Sequence, residues 1–276
     1  MAEKRKFYGM RNDYMFHAVL QKNEEVLRNL LATLLEIDEA EIEGKECILD
    51  VKLTLNNDKV INIELQVYKQ TYWINRSLLY WARTYDNLKS GQDYSMLLPA
   101  YHIGILDFTL FENHPKFMAQ YQILDVEDGY LYSDKLCIKV LDLTQLEKAK
   151  QESETNKKLL KWASIFKAET LEELEQLASG EEVFENMVVT MKKLSEDEKI
   201  RMQCEAREDY ERSLLTEYNA GKSEGIASER RNTEKERQRA EKESQRAEKE
   251  SQRAEKESQR ADALAAEVER LRALLK

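Results

Sequence analysis

The chain has 276 residues, 35% of them charged, and a net charge of −10, enough length for a sizeable core in one or two domains. Residues 1–228 hold 29 basic against 41 acidic side chains, a net −12, and residues 229–276 hold 14 against 12, a net +2. That balance speaks against a general phosphate-backbone binder of the basic kind. Three scattered cysteines without CxxC spacing, a basic N-terminus without an apolar stretch, and no apolar run near ~20 residues predict a cytoplasmic protein without disulfides, secretion signal or membrane span. With only 8 Gly and 2 Pro, the composition is helix-rich.

Arg11 to Glu36 predicts two helices, apolar at Met15, Val19, Leu27, Leu30, Leu31, Leu34 and Leu35. Asp13 precedes the first of them. It reads either as an N-cap accepting backbone N–H bonds or as a further acidic ligand of a functional site.

Leu49 to Val67 alternates with period two on both sides of an Asn-Asn-Asp-Lys turn, the pattern of a β-hairpin with one buried face. Leu49, Val51, Leu53 and Leu55 share a side with Ile61, Ile63, Leu65 and Val67; Asp50, Lys52 and Thr54 share the other with Val60, Asn62, Glu64 and Gln66. Keeping both apolar sets together requires paired residues of like parity. A three-residue loop at Asn56–Asp58 pairs Leu55 with Lys59 and Asp50 with Glu64. A loop one residue later pairs Asp50 with Gln66 and leaves Glu64 diagonal. In either register the two carboxylates share a face at about 5–8 Å between Cβ atoms. Like charges at that distance repel, and a divalent cation is one reason to hold them there; the plain alternative is the solvated face of a half-exposed hairpin.

Gln70 to Ser90 predicts a helix whose stripe of Trp73, Ser77, Tyr80 or Trp81, Thr84 and Leu88 is core packing, with Arg76, Tyr80 and Arg83 on a neighbouring face. Arg76 suits bidentate contact with a phosphate or a plain structural role. YHIGILDFTL, KFMAQYQIL and KLCIKVLDL predict strands. His102, in the first, reads as a satisfied core histidine. Beyond about Gln151 the chain turns helical and charged, with capping-box helix starts at Thr170-Leu-Glu-Glu173 and Ser195-Glu-Asp-Glu198 and no evident chemistry. Gly221 and Gly225 punctuate the entry to a tail in which AEKESQR repeats at Ala240, Ala247 and Ala254, a seven-residue period that predicts a coiled coil. Only Leu264, Val268, Leu271 and Leu275 give it a strong apolar seam, and the alternative for 229–260 is a solvated single helix.

Asp50, thirteen intervening residues, then Glu64-Leu65-Gln66 resembles the D…E-x-K core of PD-(D/E)XK nucleases, with Gln in the Lys place. RNDYMFHAVL at Arg11–Leu20, LDV, NIELQ, RSLLYWARTYDNL at Arg76–Leu88, GQDY at Gly91–Tyr94 and HIGILDFTLF at His102–Phe111 narrow it. In this order they resemble the PD-(D/E)XK family transposases, also called Rpn-family recombination-promoting nucleases, over roughly the first 145 residues.

The resemblance implies an α/β, restriction-endonuclease-like αβββαβ core at 1–148, followed by a helical appendage at 149–222 and a coiled-coil tail at 223–276. It implies a DNA endonuclease linked to recombination or mobile elements, with Asp50 and Glu64 holding Mg²⁺ or Mn²⁺ and with Gln66, Asp13 and Arg76 as further catalytic candidates. DNA is the expected partner, with homo-oligomers through the tail. The alternative is a non-catalytic scaffold with a degenerate nuclease core, which the acidic body and the missing Lys favour.

Overall fold

The structure, a computed structural model, describes residues 6–42, 45–48, 52–56, 58–152 and 154–274. The chain divides into two compact units, Met1–Ser213 and Leu214–Lys276.

The first unit opens with the two expected helices, α1 (Asp13–Lys22) and α2 (Glu24–Leu35). Both start at an asparagine: Asn12 accepts from the Met15 N–H and Asn23 from the Val26 N–H, each at 3.1 Å. Asn12 is therefore the cap, and the N-cap reading of Asp13 is corrected. Asp13 is the first helical residue, where a negative charge complements the helix dipole. At its other end α2 closes on Glu36 in the left-handed conformation, φ 60°. A buried lysine meets that end: Lys139 donates to the Leu34 carbonyl at 3.0 Å and pairs with Glu36 at 3.2 Å. A cation there answers both the last open carbonyls and the negative pole of the helix.

Among the described residues one six-stranded sheet is formed, in the order β1-β2-β3-β4-β6-β5. Its strands are β1 (Lys45–Ile48), β2 (Lys52–Leu55), β3 (Lys59–Gln66), β4 (Ala100–Leu106), β5 (Met118–Leu124) and β6 (Leu131–Asp142). β2 and β3 form the expected hairpin in the first of the two registers, with Leu55 opposite Lys59 and Leu53 opposite Ile61. β2 is described from Lys52 to Leu55, and the expected strand residues Leu49, Asp50 and Val51 lie outside the described residues. An unforeseen strand, β1, pairs antiparallel with β2, Ile48 opposite Lys52.

β3 and β4 run parallel, as do β4 and β6. Parallel neighbours need a crossover, and α3 (Trp73–Tyr85) makes it between β3 and β4. The helix covers the second face of β3. Leu53, Leu55, Ile61, Ile63 and Leu65 join one continuous core with α1, α2 and the later helices, while Trp73 packs with Leu106, Phe108, Leu136, Ile138 and Val140 on the opposite face. A hairpin with one solvated face is therefore not what forms. Gln66 is buried and the Glu64 side chain is only 11% exposed.

Four helices complete the unit: α4 (Leu146–Ala149), α5 (Lys157–Lys167), α6 (Leu171–Ala178) and α7 (Glu182–Glu196); α8 (Glu198–Leu274) begins in it and forms most of the second. Thr170 caps α6 as expected, accepting from Glu173 N–H at 3.1 Å. The start expected at Ser195 is corrected. The apolar face of α7 carries it through Glu196, and Asp197 caps α8 by accepting from the Lys199 and Ile200 N–H groups at 2.9 and 3.2 Å. Helix continues through Gly221 and Gly225, the two glycines at the expected entry to the tail. A glycine costs a helix about 1 kcal/mol, which strong helix formers on both sides offset.

Gly104, in the middle of β4, shows how closely α3 is seated. A Cβ built there would stand 2.3 Å from Cζ2 of Trp73, closer than any real contact. Gly104→Ala should therefore destabilise the fold by about 1–3 kcal/mol through overpacking. Urea midpoints check this, and Trp73→Leu in the Gly104→Ala background should recover part of the loss.

Candidate active site

β3, α3, α1 and the first turns of α8 converge on a cleft of about 410 Å³. Asp13 and His17 come from α1, Asn62 and Glu64 from β3, Arg76, Tyr80 and Arg83 from α3, and Arg207 from α8. Three arginines face two carboxylates there, so the cleft is locally cationic although residues 1–228 are net acidic.

Glu64 is the central group. One carboxylate oxygen, Oε1, is ion-paired with Nη2 of Arg76, while Oε2 has no hydrogen-bond partner among the described residues. Arg76 is held in place by the Oε1 atoms of Gln66, at 3.2 Å, and of Gln70. Its guanidinium also lies 5.4 Å from the centre of the Tyr80 ring, within cation–π range. Residue 66 is thus a buried acceptor that orients an arginine.

His102 stands on the other side of Glu64, fully buried, with Nε2 3.8 Å from Oε2. Asn62 donates its amide to Nδ1 of this ring at 2.9 Å, which leaves the proton of a neutral imidazole on Nε2, aimed at the carboxylate. Burial, reinforced by the Arg76 charge, pushes the ring down to about 4, so it is neutral at pH 7. The core placement expected for His102 holds. Its satisfaction does not, because Nε2 lacks a hydrogen bond at that distance.

Asp13 reaches the same cleft through a chain of ion pairs. His17 Nε2 lies 2.9 Å from one of its oxygens and Arg207 Nη2 3.1 Å from the other. Burial would raise its carboxyl, but the bond from His17 and the charges of His17, Arg207 and Arg76 outweigh that and hold it below its ordinary range. Arg207 is brought here because Asn12, the cap of α1, also donates to the Cys204 carbonyl of α8 at 3.0 Å. Sequence reasoning saw no chemistry beyond about Gln151 and missed Arg207. Its one local signal is Glu211 a helical turn later, paired with it at 3.4 Å.

The structure thus gathers Glu64, Gln66, Asp13 and Arg76 at one place; Asp50 lies outside the described residues. No group of three or more His, Cys, Asp or Glu side chains among the described residues is arranged as a metal site. An anionic oxygen without a partner, at a cleft, is nonetheless the kind of donor a hard divalent cation takes, and such ions commonly use one or two carboxylates and complete their shell with water and phosphate. Among the described residues Glu64 offers one such donor, beside Arg76.

A sequence model of the PD-(D/E)XK nuclease family transposases matches residues 10–221. This chain belongs to that family. The match extends well past the residues that carry the resemblance by motif and takes in α4 to α7 and Arg207. No curated protein and no solved structure matches the chain. The order α, three strands, α, strand fits a PD-(D/E)XK core, and no helix among the described residues is long and apolar enough to cross a membrane.

The buried neutral imidazole has a pH signature. With the folded His102 near 4 and the unfolded one near 6.5, the unfolded chain binds more protons between those values. Stability is then full above about pH 6.5 and falls towards pH 4, by about 3 kcal/mol in all. In EDTA, urea midpoints of the parent should drop between pH 7 and 4.5, and those of His102→Gln should drop much less. Parallel profiles would refute this role for His102.

Proposed function

We propose that this chain is a divalent-metal-dependent DNA endonuclease acting in recombination or on mobile elements. The observation that carries the reading is the Glu64 carboxylate, buried with one oxygen free of hydrogen bonds, beside three arginines in a chain of a nuclease family. Glu64 and Asp50 would hold Mg²⁺ or Mn²⁺, which when bound offers charge to a phosphate and lowers the pKa of a water. Arg76, Arg83 and Arg207 would take the phosphate oxygens, where a guanidinium fork is suited to bidentate contact. Gln66 and Gln70 keep Arg76 oriented. Asp13 sets the position of Arg207 and lends the cleft a second carboxylate.

Supercoiled plasmid incubated with Mg²⁺, Mn²⁺ or EDTA tests this. Nicking should require the metal and fall by orders of magnitude in Asp50→Asn and Glu64→Gln, since metal charge stabilisation is worth several kcal/mol and about 1.4 kcal/mol is tenfold in rate. Gln66→Ala should cost less, because Gln70 still holds the Arg76 guanidinium. If the parent shows no metal-dependent nicking, the scaffold reading replaces this one. Equal activity in Glu64→Gln would move the site elsewhere.

We also propose that the tail joins copies of the chain. Leu264 and Val268 are exposed apolar side chains one helical turn apart; the side chains of Leu271 and Leu275 lie outside the described residues. Deleting residues 229–276 should leave a folded protein of lower oligomeric state by light scattering. An unchanged state would remove the tail from assembly.

A further inference from the structure

The surface of α3 that borders the cleft alternates two residue types. Tyr72, Arg76, Tyr80 and Arg83 are spaced four, four and three apart, within about 80° of the helix circumference at 100° per residue. The buried residues Trp73, Ser77 and Thr84 lie on the adjoining side, so this stripe is the edge where α3 leaves the sheet and meets solvent. Tyr72 is 75% exposed, at the N-terminal cap of the helix; Arg76, Tyr80 and Arg83 line the cleft itself. From first to last the stripe covers about 16 Å, with Glu64 facing its middle through Arg76.

Tyr72 stands exposed beside guanidinium side chains, the donors best suited to a phosphate fork. A duplex does not use such a stripe well, since its bases stack on one another and offer only their edges in the grooves. An unpaired strand offers both what a tyrosine wants, a free base face, and what an arginine wants, a phosphate. The net charge of −12 on residues 1–228 points the same way. Long-range attraction for a polyanion is weak, so binding has to come from short-range contacts that stacking supplies.

We infer that the Tyr72–Arg76–Tyr80–Arg83 stripe of α3 is a track for an unpaired nucleic-acid strand, which it leads past Glu64. The two rings stand about 12 Å apart along the axis, so they bracket a short stretch of strand and do not stack adjacent bases. The substrates that follow are single strands or duplexes with unpaired segments. This rests on the endonuclease reading for what happens at Glu64, but the binding claim can be measured without cleavage.

The test uses the full chain in EDTA and a fluorescein-labelled oligothymidylate of about 20 nucleotides, longer than the sites such grooves occupy. Anisotropy is compared for this strand alone and for the same strand annealed to oligoadenylate. The single strand should bind more tightly than the duplex. Tyr72→Ala, which removes an exposed ring and leaves the Arg76 network intact, should weaken single-strand binding about tenfold and leave duplex binding unchanged. Tyr72→Phe, which keeps the stacking face, should bind as the parent does. Equal affinity for strand and duplex, or a Tyr72→Ala that binds the strand as well as the parent, would overturn the inference. Metal-dependent nicking of plasmid without a strand preference would leave the endonuclease reading standing and this one refuted. Tyr72-dependent strand binding with no nicking would do the reverse.

Discussion

A carboxylate placed under a crossover helix must be neutralised or paired, and at Glu64 the partner is Arg76, supplied by that same helix. Much of the site follows from this pairing. Residue 64 lies on the face of β3 that α3 covers, because β3 and β4 are parallel and the connection between them has to pass over the sheet. Trp73 can settle against β4 only because residue 104 has no side chain. Seating the helix there brings Arg76 over Glu64, and Gln66 and Gln70 close around the guanidinium. Removing either partner would leave a buried charge without its counter-ion, which is more damaging than the loss of a surface ion pair. The same environment keeps His102 neutral, since a second cation beside Arg76 in a desolvated position is unfavourable.

The sequence was most legible where local periodicity and tertiary burial agree. The apolar alternation of Ile61, Ile63 and Leu65 and the rule of like parity narrow the hairpin to two registers, and the structure takes the one with the Asn56–Asp58 loop. The two N-terminal helices and the strands β4 to β6 follow from their patterns in the same way. Where several groups compete for one role, the pattern could not choose. Asn12 and Asp13 are both good caps, and which of them serves depends on Asn12 also reaching the Cys204 carbonyl, 192 positions away. Ser195 fits a capping box, yet Asp197 takes the role two residues later. Covering the second face of β3 is also invisible from within β3, since Asn62, Glu64 and Gln66 read as solvent-facing until α3 is laid over them. Arg207 was illegible for a simpler reason: nothing in a charged helical stretch marks which arginine faces inward.

Charge is another property that composition alone misrepresents. An average of −12 over residues 1–228 argues against phosphate binding, whereas the cleft lined by Arg76, Arg83, Arg207, Asp13 and Glu64 carries more positive than negative groups. At physiological ionic strength charges further than about 8 Å are largely screened, so a ligand in the cleft responds chiefly to the side chains that line it. An acidic exterior then limits unspecific attraction to nucleic acid without weakening contacts made inside.

Glutamine in place of lysine at residue 66 bears on how the proposed reaction would be run. A lysine here would put an ammonium beside Glu64 on the same strand. Gln66 brings no charge, but its carbonyl oxygen accepts from Arg76 and so turns a cation from the neighbouring helix towards Glu64. The two arrangements are not equivalent. An ammonium is a compact point charge that can lose its proton when buried, whereas a guanidinium stays charged and presents several donors in a fixed plane. With Nη2 on Glu64 and Gln66 and Nη1 on Gln70, Arg76 is committed at both ends, and its Nε remains buried without a hydrogen bond. In the proposed reaction a bound cation would share the charge of Glu64 and release Arg76 towards a phosphate, whereas Tyr72, exposed at the start of the same helix, would meet a strand with or without the metal.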